Sequence, residues 1–418
     1  MLDGDDKLCQ SVRTVQQRRT PRTTPRLAQT KVSCLWNQPD AVLNYQAAVS
    51  LHSHTNRSKE SLHFVPKFAE SHPLLKWALE RKVKTSTVAV NFPKAYWTPP
   101  LSPELSFTAE REQIENQLGL QALVALTDHD NIEAPLALRA EPANGEIPFA
   151  FEWSVPFENA IFHLGIHNLP SRQVHSIMAD LSAYTENPAS RNLAELLEML
   201  DDLPEVLVVF NHPLWDLYGM GRQEFLGVVD RFLDNYVRYI HAFELNATRS
   251  CDENHGVIEL SDRWQRLMIS GGDRHGCEPS GAVNLTKSQS FGEFAHEIRV
   301  QKLSHVLFMP QYANSLLLRT IQTLLDVIRE YPEFGAERRR WDDRVFHPSR
   351  SGIGDVPIST MWRGSPAFIE RTFSLVRILE RGAVRRALAR VLPGRSDLEL
   401  KSDILEFSPE EVVYETSL

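Results

Sequence analysis

The sequence predicts an α/β fold in which short buried strands alternate with helices and close into a barrel. Two observations carry that prediction: seven β-prone runs end in histidines or carboxylates, and stretches with helical apolar spacing lie between most of them. Alternation of this kind implies parallel strands joined by helical crossovers, and a barrel built that way presents polar groups at the carboxyl ends of its strands. A doubly wound open sheet gives the same alternation, but ligand-type residues arriving from seven strands converge more naturally on a barrel axis.

In chain order, residues 1–45 are expected to form a disordered basic tail. Arg13, Arg18, Arg19, Arg22 and Arg26 stand there among Thr, Gln and Pro with little apolar periodicity. The segment begins acidic at Asp3, Asp5 and Asp6 and lacks the apolar stretch of a secretory signal. The barrel is expected over 46–310. Its first run, AAVSLHSHT, stops at His52 and His54, and the second, ALVALTDHD, ends in Asp128, His129 and Asp130. IPFAFEW delivers Glu152, AIFHLGIHNL carries His163 and His167, and VLVVFNHP ends at His212. YIHAFELNA holds Glu244 and Asn246, and LMISGGDRH ends at Asp273 and His275. Helical spacing recurs near 190–203, 222–237 and 254–265.

A helical extension is expected over 311–418. It includes YANSLLLRTIQTLLDVIRE and a basic amphipathic helix from Pro366 to Leu392, whose stripe of Phe368, Leu375, Leu379 and Leu388 suits docking on its own domain or a membrane or partner surface. Between His54 and the second strand lies VNFPKAYWTPPLSPELSF, either a packed insertion or a wall over the site presenting Phe92, Tyr96 and Trp97.

Composition narrows the function classes. A chain of 418 residues with 42% hydrophobic and 24% charged content is an ordinary globular sequence with room for one large core. No run is apolar enough to span a bilayer. A net charge of -9 argues against nucleic-acid binding through a generally basic surface. Cys9, Cys34, Cys251 and Cys277 form no CxxC pair, so neither a disulfide scaffold nor a thiolate zinc site is indicated and a cytoplasmic setting is expected.

The strand endings carry the chemistry. Residues two apart on a strand share a face, so His52 and His54 can approach one ion together. Asp128, His129 and Asp130 are costly to bury without partners or metal; His129 is the best ligand candidate, and the aspartates suit either orienting roles or a helix N-cap. Glu152, alone in an apolar strand, needs a metal or an arginine. His163 and His167 share a face, and one suits a ligand while the other suits a packed histidine; we favour His163. His212 in Asn-His-Pro, with Asp273 and His275 in Gly-Gly-Asp-Arg-His-Gly, completes the set. Turn and cap roles are the alternatives for the last pair.

Taken in order, LHSHTNRS, LTDHD, FEWSVPFENAIFHLGI, FNHP and GGDRHG resemble the signature of the PHP (polymerase and histidinol phosphatase) superfamily over roughly residues 47–285. The resemblance implies a distorted (β/α)7 TIM-like barrel that holds two or three divalent ions (Zn, Mn or Fe) and hydrolyses phosphoesters. It places metal ligands on His52, His54, His129, Glu152, His163, His212, Asp273 and His275. One position departs. Where many members carry Ser-Asp-Gly after the first histidine pair, this chain reads Ser58-Lys59-Glu60. Either Glu60 takes the acid's place after a small loop shift, or two ions are held and Lys59 helps to bind an anionic substrate.

The sequence-level expectation is therefore a metal-dependent phosphoesterase acting on a small phosphorylated molecule, a nucleotide or an oligonucleotide. His129, Asp273 and Arg274 are expected to take part in catalysis, and Arg57, Lys59, Arg249 and Arg274 to grip substrate oxygens, with salt bridges as the alternative for the arginines. Metal-dependent hydrolysis of a carbon–nitrogen bond and a degenerate, non-catalytic binding module are the competing readings.

Overall fold

Continuous apolar runs become strands buried on both faces. In the computed structural model, which describes residues 29–62, 92–141, 147–349 and 354–362 with residues 374 and 378, all seven expected runs form strands. They are β2 (Ala47–Ser50), β5 (Gln121–Val124), β6 (Phe149–Phe157), β7 (Ala160–Leu169), β8 (Leu207–Asn211), β9 (Ala242–Asn246) and β10 (Leu267–Gly271). Every residue of β2, β8, β9 and β10 is buried, as strands covered on both sides require. Three further strands complete the main sheets: β1 (Gln29–Cys34), β11 (Ala282–Thr286) and β12 (Leu303–Phe308).

These strands form two five-stranded sheets, ordered β1-β12-β11-β2-β5 and β10-β9-β8-β7-β6. That corrects the expected closed barrel of parallel strands. β6 and β7 pair antiparallel through Phe157↔Ala160, so only Glu158 and Asn159 link them. A hairpin that short leaves no length for a helical crossover. β7 also pairs antiparallel with β8, and β11 with both β2 and β12.

The two sheets meet at two seams without a continuous ladder. At one, the chain beyond β5 crosses β6 through Asp130 N–H to Glu152 O at 2.9 Å and Glu152 N–H to Asp128 O at 3.2 Å. At the other, side chains satisfy the outer edge of β10. Thr30 Oγ1 accepts from Met268 N–H, Asn284 Oδ1 accepts from Ser270 N–H, and Ser304 Oγ donates to Met268 O.

Between the sheets lies an apolar interior that includes Val49, Leu51, Leu123, Val209, Leu267 and Ile269, together with Phe294 and Ile298 from the helical segment after β11. A larger core packs helices on the outer face of the second sheet. Their spacing is the amphipathic one: Leu193–Asp201 buries Leu193, Leu196, Leu197 and Leu200, and Arg222–Tyr236 buries Phe225, Val228, Val229, Phe232 and Leu233. Asn192 and Ser250 cap the helices Leu193–Asp201 and Cys251–Trp264 by accepting backbone N–H bonds.

Two expected boundaries shift. Composition places residues 29–45 in the tail, yet β1 pairs in parallel with β12 from Gln29↔Leu303 to Cys34↔Phe308. Val32 and Cys34 are buried in the core, which a composition dominated by the preceding arginines hides. The rest of the tail lies outside the described residues. In the C-terminal part the helix Leu316–Ile328 is present, but two strands follow it: β13 (Val345–Pro348) and β14 (Asp355–Pro357). They join β3 (Glu60–Ser61) and β4 (Tyr96–Trp97) in a small antiparallel sheet ordered β14-β13-β4-β3. The basic helix expected over 366–392 falls outside the described residues except at 374 and 378. No helix among the described residues is long and apolar enough to cross a membrane.

Candidate metal centre

Glu152 is the hub on which the strand endings converge. It is 1% exposed. Its Oε2 lies 3.1 Å from His52 Nε2, 3.3 Å from His54 Nε2 and 3.4 Å from His129 Nε2. Its Oε1 lies 3.1 Å from His212 Nε2 and 3.6 Å from His163 Nδ1. One carboxylate thus faces two sets of imidazoles, one per oxygen. His163 reaches it because β7 runs opposite to its neighbours: the beginning of that strand lies where β8 ends, in the register His163↔Asn211.

The remaining expected ligands close around this hub. Asp273 Oδ1 stands 3.7 Å from His54 Nε2 and 3.9 Å from His52 Nε2. Glu60 Oε2 lies 3.1 Å from His275 Nε2 and 3.4 Å from His129 Nε2, and its Oε1 lies 3.6 Å from His54 Nδ1. Four overlapping groups of ligand atoms result: His54, Glu60, His129 and His275; His52, His54 and Glu152; His52, His212 and Asp273; and His129, Glu152 and His163. All nine positions named from sequence fall in these groups.

Strand alternation separates Glu60 from Lys59. Glu60 and its neighbours point to opposite sides at β3, so Glu60 is buried while Lys59 and Ser61 are exposed. Lys59 pairs with Asp355 at 3.6 Å and lies over the Tyr96 ring, at the rim of the site. Arg57 sits on the surface beside Glu133, outside the cavity lining. Arg249 Nη2 donates to Asp273 Oδ2 at 2.9 Å, and its guanidinium stacks on Trp215 at 4.2 Å. His167 is buried but belongs to none of the ligand groups.

Arg274 is held by a buried network. Its Nε donates to Glu110 Oε1 at 2.9 Å, Nη1 donates to Gly276 O at 2.6 Å, and Nη2 donates to Ser106 Oγ and to His54 O. All three guanidinium nitrogens are thus engaged by the protein. Glu110 in turn accepts from Ser50 and Ser53 hydroxyls and from Ser280 N–H. This buried pair ties the end of β2 to the loop after β10 and thereby sets His52 and His54 against Asp273 and His275.

Three other carboxylates position the cluster without joining it. Glu244 Oε1 bonds His52 Nδ1 at 2.5 Å while Oε2 accepts from His212 N–H at 2.7 Å, orienting one imidazole and one backbone turn. Asp128 accepts from Thr55 N–H and its hydroxyl, and Asp130 accepts from Ser154 N–H. The two aspartates therefore orient backbone instead of imidazoles. Asp130, His212 and Asp273 all adopt positive φ (51°, 28° and 44°), backbone strain of the kind that persists where surrounding contacts over-determine a site.

The electrostatics fit bound cations. Burial alone would raise the carboxyls of Glu60, Glu152 and Asp273, but the surrounding imidazoles and Arg249 override it and hold all three well below the usual carboxylate range. Burial alone would lower His129, yet Glu60 and Glu152 push it up to about 10. Burial pushes His163 far down and His167 down to about 3. Glu152 Oε2, Glu60 Oε1 and His129 Nδ1 are buried with no hydrogen-bond partner among the described residues. Buried carboxylate oxygens without donors beside converging imidazoles are a donor set suited to divalent ions.

Above the cluster opens a cavity of about 890 Å³. Trp97 lines it, 5.7 Å from the His275 ring, whereas Phe92 and Tyr96 are not among its lining residues. Trp215 lies on the other side, 5.0 Å from His212 and 6.1 Å from His163.

No protein-family model and no curated protein matches the sequence. Similar solved structures include an amidohydrolase from Chromobacterium violaceum, at 16% identity and a TM-score of 0.30 over 54% of this chain and 87% of that one. PsfC from Pseudomonas syringae is 13% identical with a TM-score of 0.36, over 64% of this chain and 93% of its own. A protein from Bifidobacterium adolescentis assigned as a metal-dependent phosphoesterase is 13% identical with a TM-score of 0.33, over 61% and 96%. At these values the functional reading rests on the chain's own side chains.

Proposed function

We propose that the chain is a metal-dependent phosphoesterase. The observation that carries this reading is the convergence of nine nitrogen- and oxygen-bearing side chains, Glu152 and Glu60 among them, at the floor of one cavity. Histidine-rich donor groups with a few carboxylates suit zinc, manganese or iron over magnesium or calcium. Bound ions supply an acidified water and offset charge on phosphate oxygens.

Charge balance favours a phosphate ester over an uncharged amide. Glu60, Glu152 and Asp273, the carboxylates within the ligand groups, contribute three negative charges, which two divalent ions already exceed by one. Each further ion adds to that excess, with Arg249 beside it, and a cationic site attracts a phosphate ester as it would not an uncharged amide. In this reading His54, Glu60, His129 and His275 hold one ion, and Glu152 is shared among the others. His129 and Asp273 act as ligands, and Arg249 holds Asp273 Oδ2 so that Oδ1 stays turned to the cluster.

Elemental analysis of purified protein, with assays on a phosphoester panel and an amide panel, tests the proposal. Bound zinc, manganese or iron and hydrolysis of phosphoesters, both lost in His129→Ala, is the expected result. Full metal content and unchanged activity in that variant, or turnover of amides alone, overturns it.

A further inference from the structure

The cavity also says what kind of ester the cluster takes. Resting on the phosphoesterase reading, we infer that the substrate carries a single phosphate on an alcohol bearing a planar or bulky apolar group, seated between Trp97 and the Trp215–Tyr218 wall. Three observations carry this. At about 890 Å³ the cavity is at the upper end of the roughly 300–1,000 Å³ that encloses a whole drug-sized ligand, far more than one phosphate on its ions needs. Its walls beside the cluster are apolar or aromatic: Trp97 on one side, and Ile161, Trp215, Leu217 and Tyr218 on the other.

Its cations are committed elsewhere. Among the described residues that line the cavity, Arg274 is spent on Glu110 and carbonyls, Arg344 donates to the carbonyls of Arg338, Arg339, Val327 and Arg329, and Arg319 to those of Ala247, Arg249 and Asn314. Lys59 stands at the rim with Asp355, and Arg249 alone stands against the cluster. A second phosphate, as in an oligonucleotide or a bisphosphate, would meet aromatic rings where it needs guanidinium groups. A planar group meets the Trp97 ring and the apolar surface of Ile161, Leu217 and Tyr218, while Arg249 stacks on Trp215.

Binding of two non-hydrolysable probes to the metal-loaded protein, benzylphosphonate and methylphosphonate, followed by calorimetry, tests the inference. Burying one aromatic ring should tighten benzylphosphonate by about tenfold or more over methylphosphonate, and Trp97→Ala should shrink that ratio towards one. Equal affinities, or a ratio unmoved by both Trp215→Ala and Trp97→Ala, overturns the inference whether or not any ester is hydrolysed. The same preparation assayed with 2-phenylethyl phosphate, ethyl phosphate and a sugar bisphosphate separates the two claims. Hydrolysis of none of them, with the binding preference intact, removes the phosphoesterase reading and leaves the pocket standing. Faster hydrolysis of the bisphosphate removes the pocket assignment and leaves the reaction.

Discussion

At the scale of single residues the cluster is decided by which side chains a strand turns inward. Glu60 supplies both oxygens to imidazoles while Lys59, its neighbour, reaches Asp355 at the rim. Replacing Glu60 by Gln should therefore cost one ion per chain, read by elemental analysis, and lower phosphoester turnover by an order of magnitude or more, within the roughly 10- to 100-fold seen when metal-site groups are altered. Lys59→Ala should leave the metal content unchanged. A Glu60→Gln protein with its full complement of ions would show that His54, His129 and His275 hold their ion without the carboxylate.

Elements bring these residues together, and here the sequence is informative in part. Eight of the candidate positions were legible because each stands in or just after a strand, where a polar ionisable residue breaks an apolar run, while Glu60 entered only as one alternative reading of a departure from the family pattern. The antiparallel course of β7 was not, because a periodicity of two reports that a strand exists and not which way it runs. Nor was the role of Arg274, which from sequence stands beside two ligands and looks like a phosphate clamp. Glu110 was missed although a signal was present: it recurs with Pro103, Ser106, Phe107 and Gln113 on the buried face of its helix, where a carboxylate needs a partner. The pair gives a prediction. Arg274→Met leaves Glu110 buried and unpaired and should lower stability by about 3–5 kcal/mol, with metal affinity falling alongside. Denaturant titration checks this, and Glu110→Gln combined with Arg274→Met should recover part of the loss. Additive losses in the double variant would mean that the two side chains act separately.

For the whole molecule, the cluster links folding, protons and ions. In the ion-free protein His129 is held up to about 10 and His52 well above its ordinary value by the carboxylates they face. A raised folded value stabilises fully below the unfolded value of about 6.5 and loses that contribution as pH climbs towards 10. Glu60, Glu152 and Asp273 are depressed, so their contribution is present above about 4 and disappears as pH falls through their lowered folded values. The buried His167 and His305, both pushed down to about 3, work against stability below 6.5, but they do so with or without ions. Ions require the imidazoles deprotonated, so their uptake must release protons at neutral pH. The difference in Tm between metal-loaded and metal-free protein should then widen steadily from pH 6 to pH 9, the metal-free form weakening as His52 and His129 lose their protons. Scanning calorimetry at four or five pH values measures it. A difference that is flat or narrows over that range would mean that the imidazoles around Glu152 are neutral before any ion arrives, and the cluster would then owe its shape to packing and hydrogen bonds in place of charge.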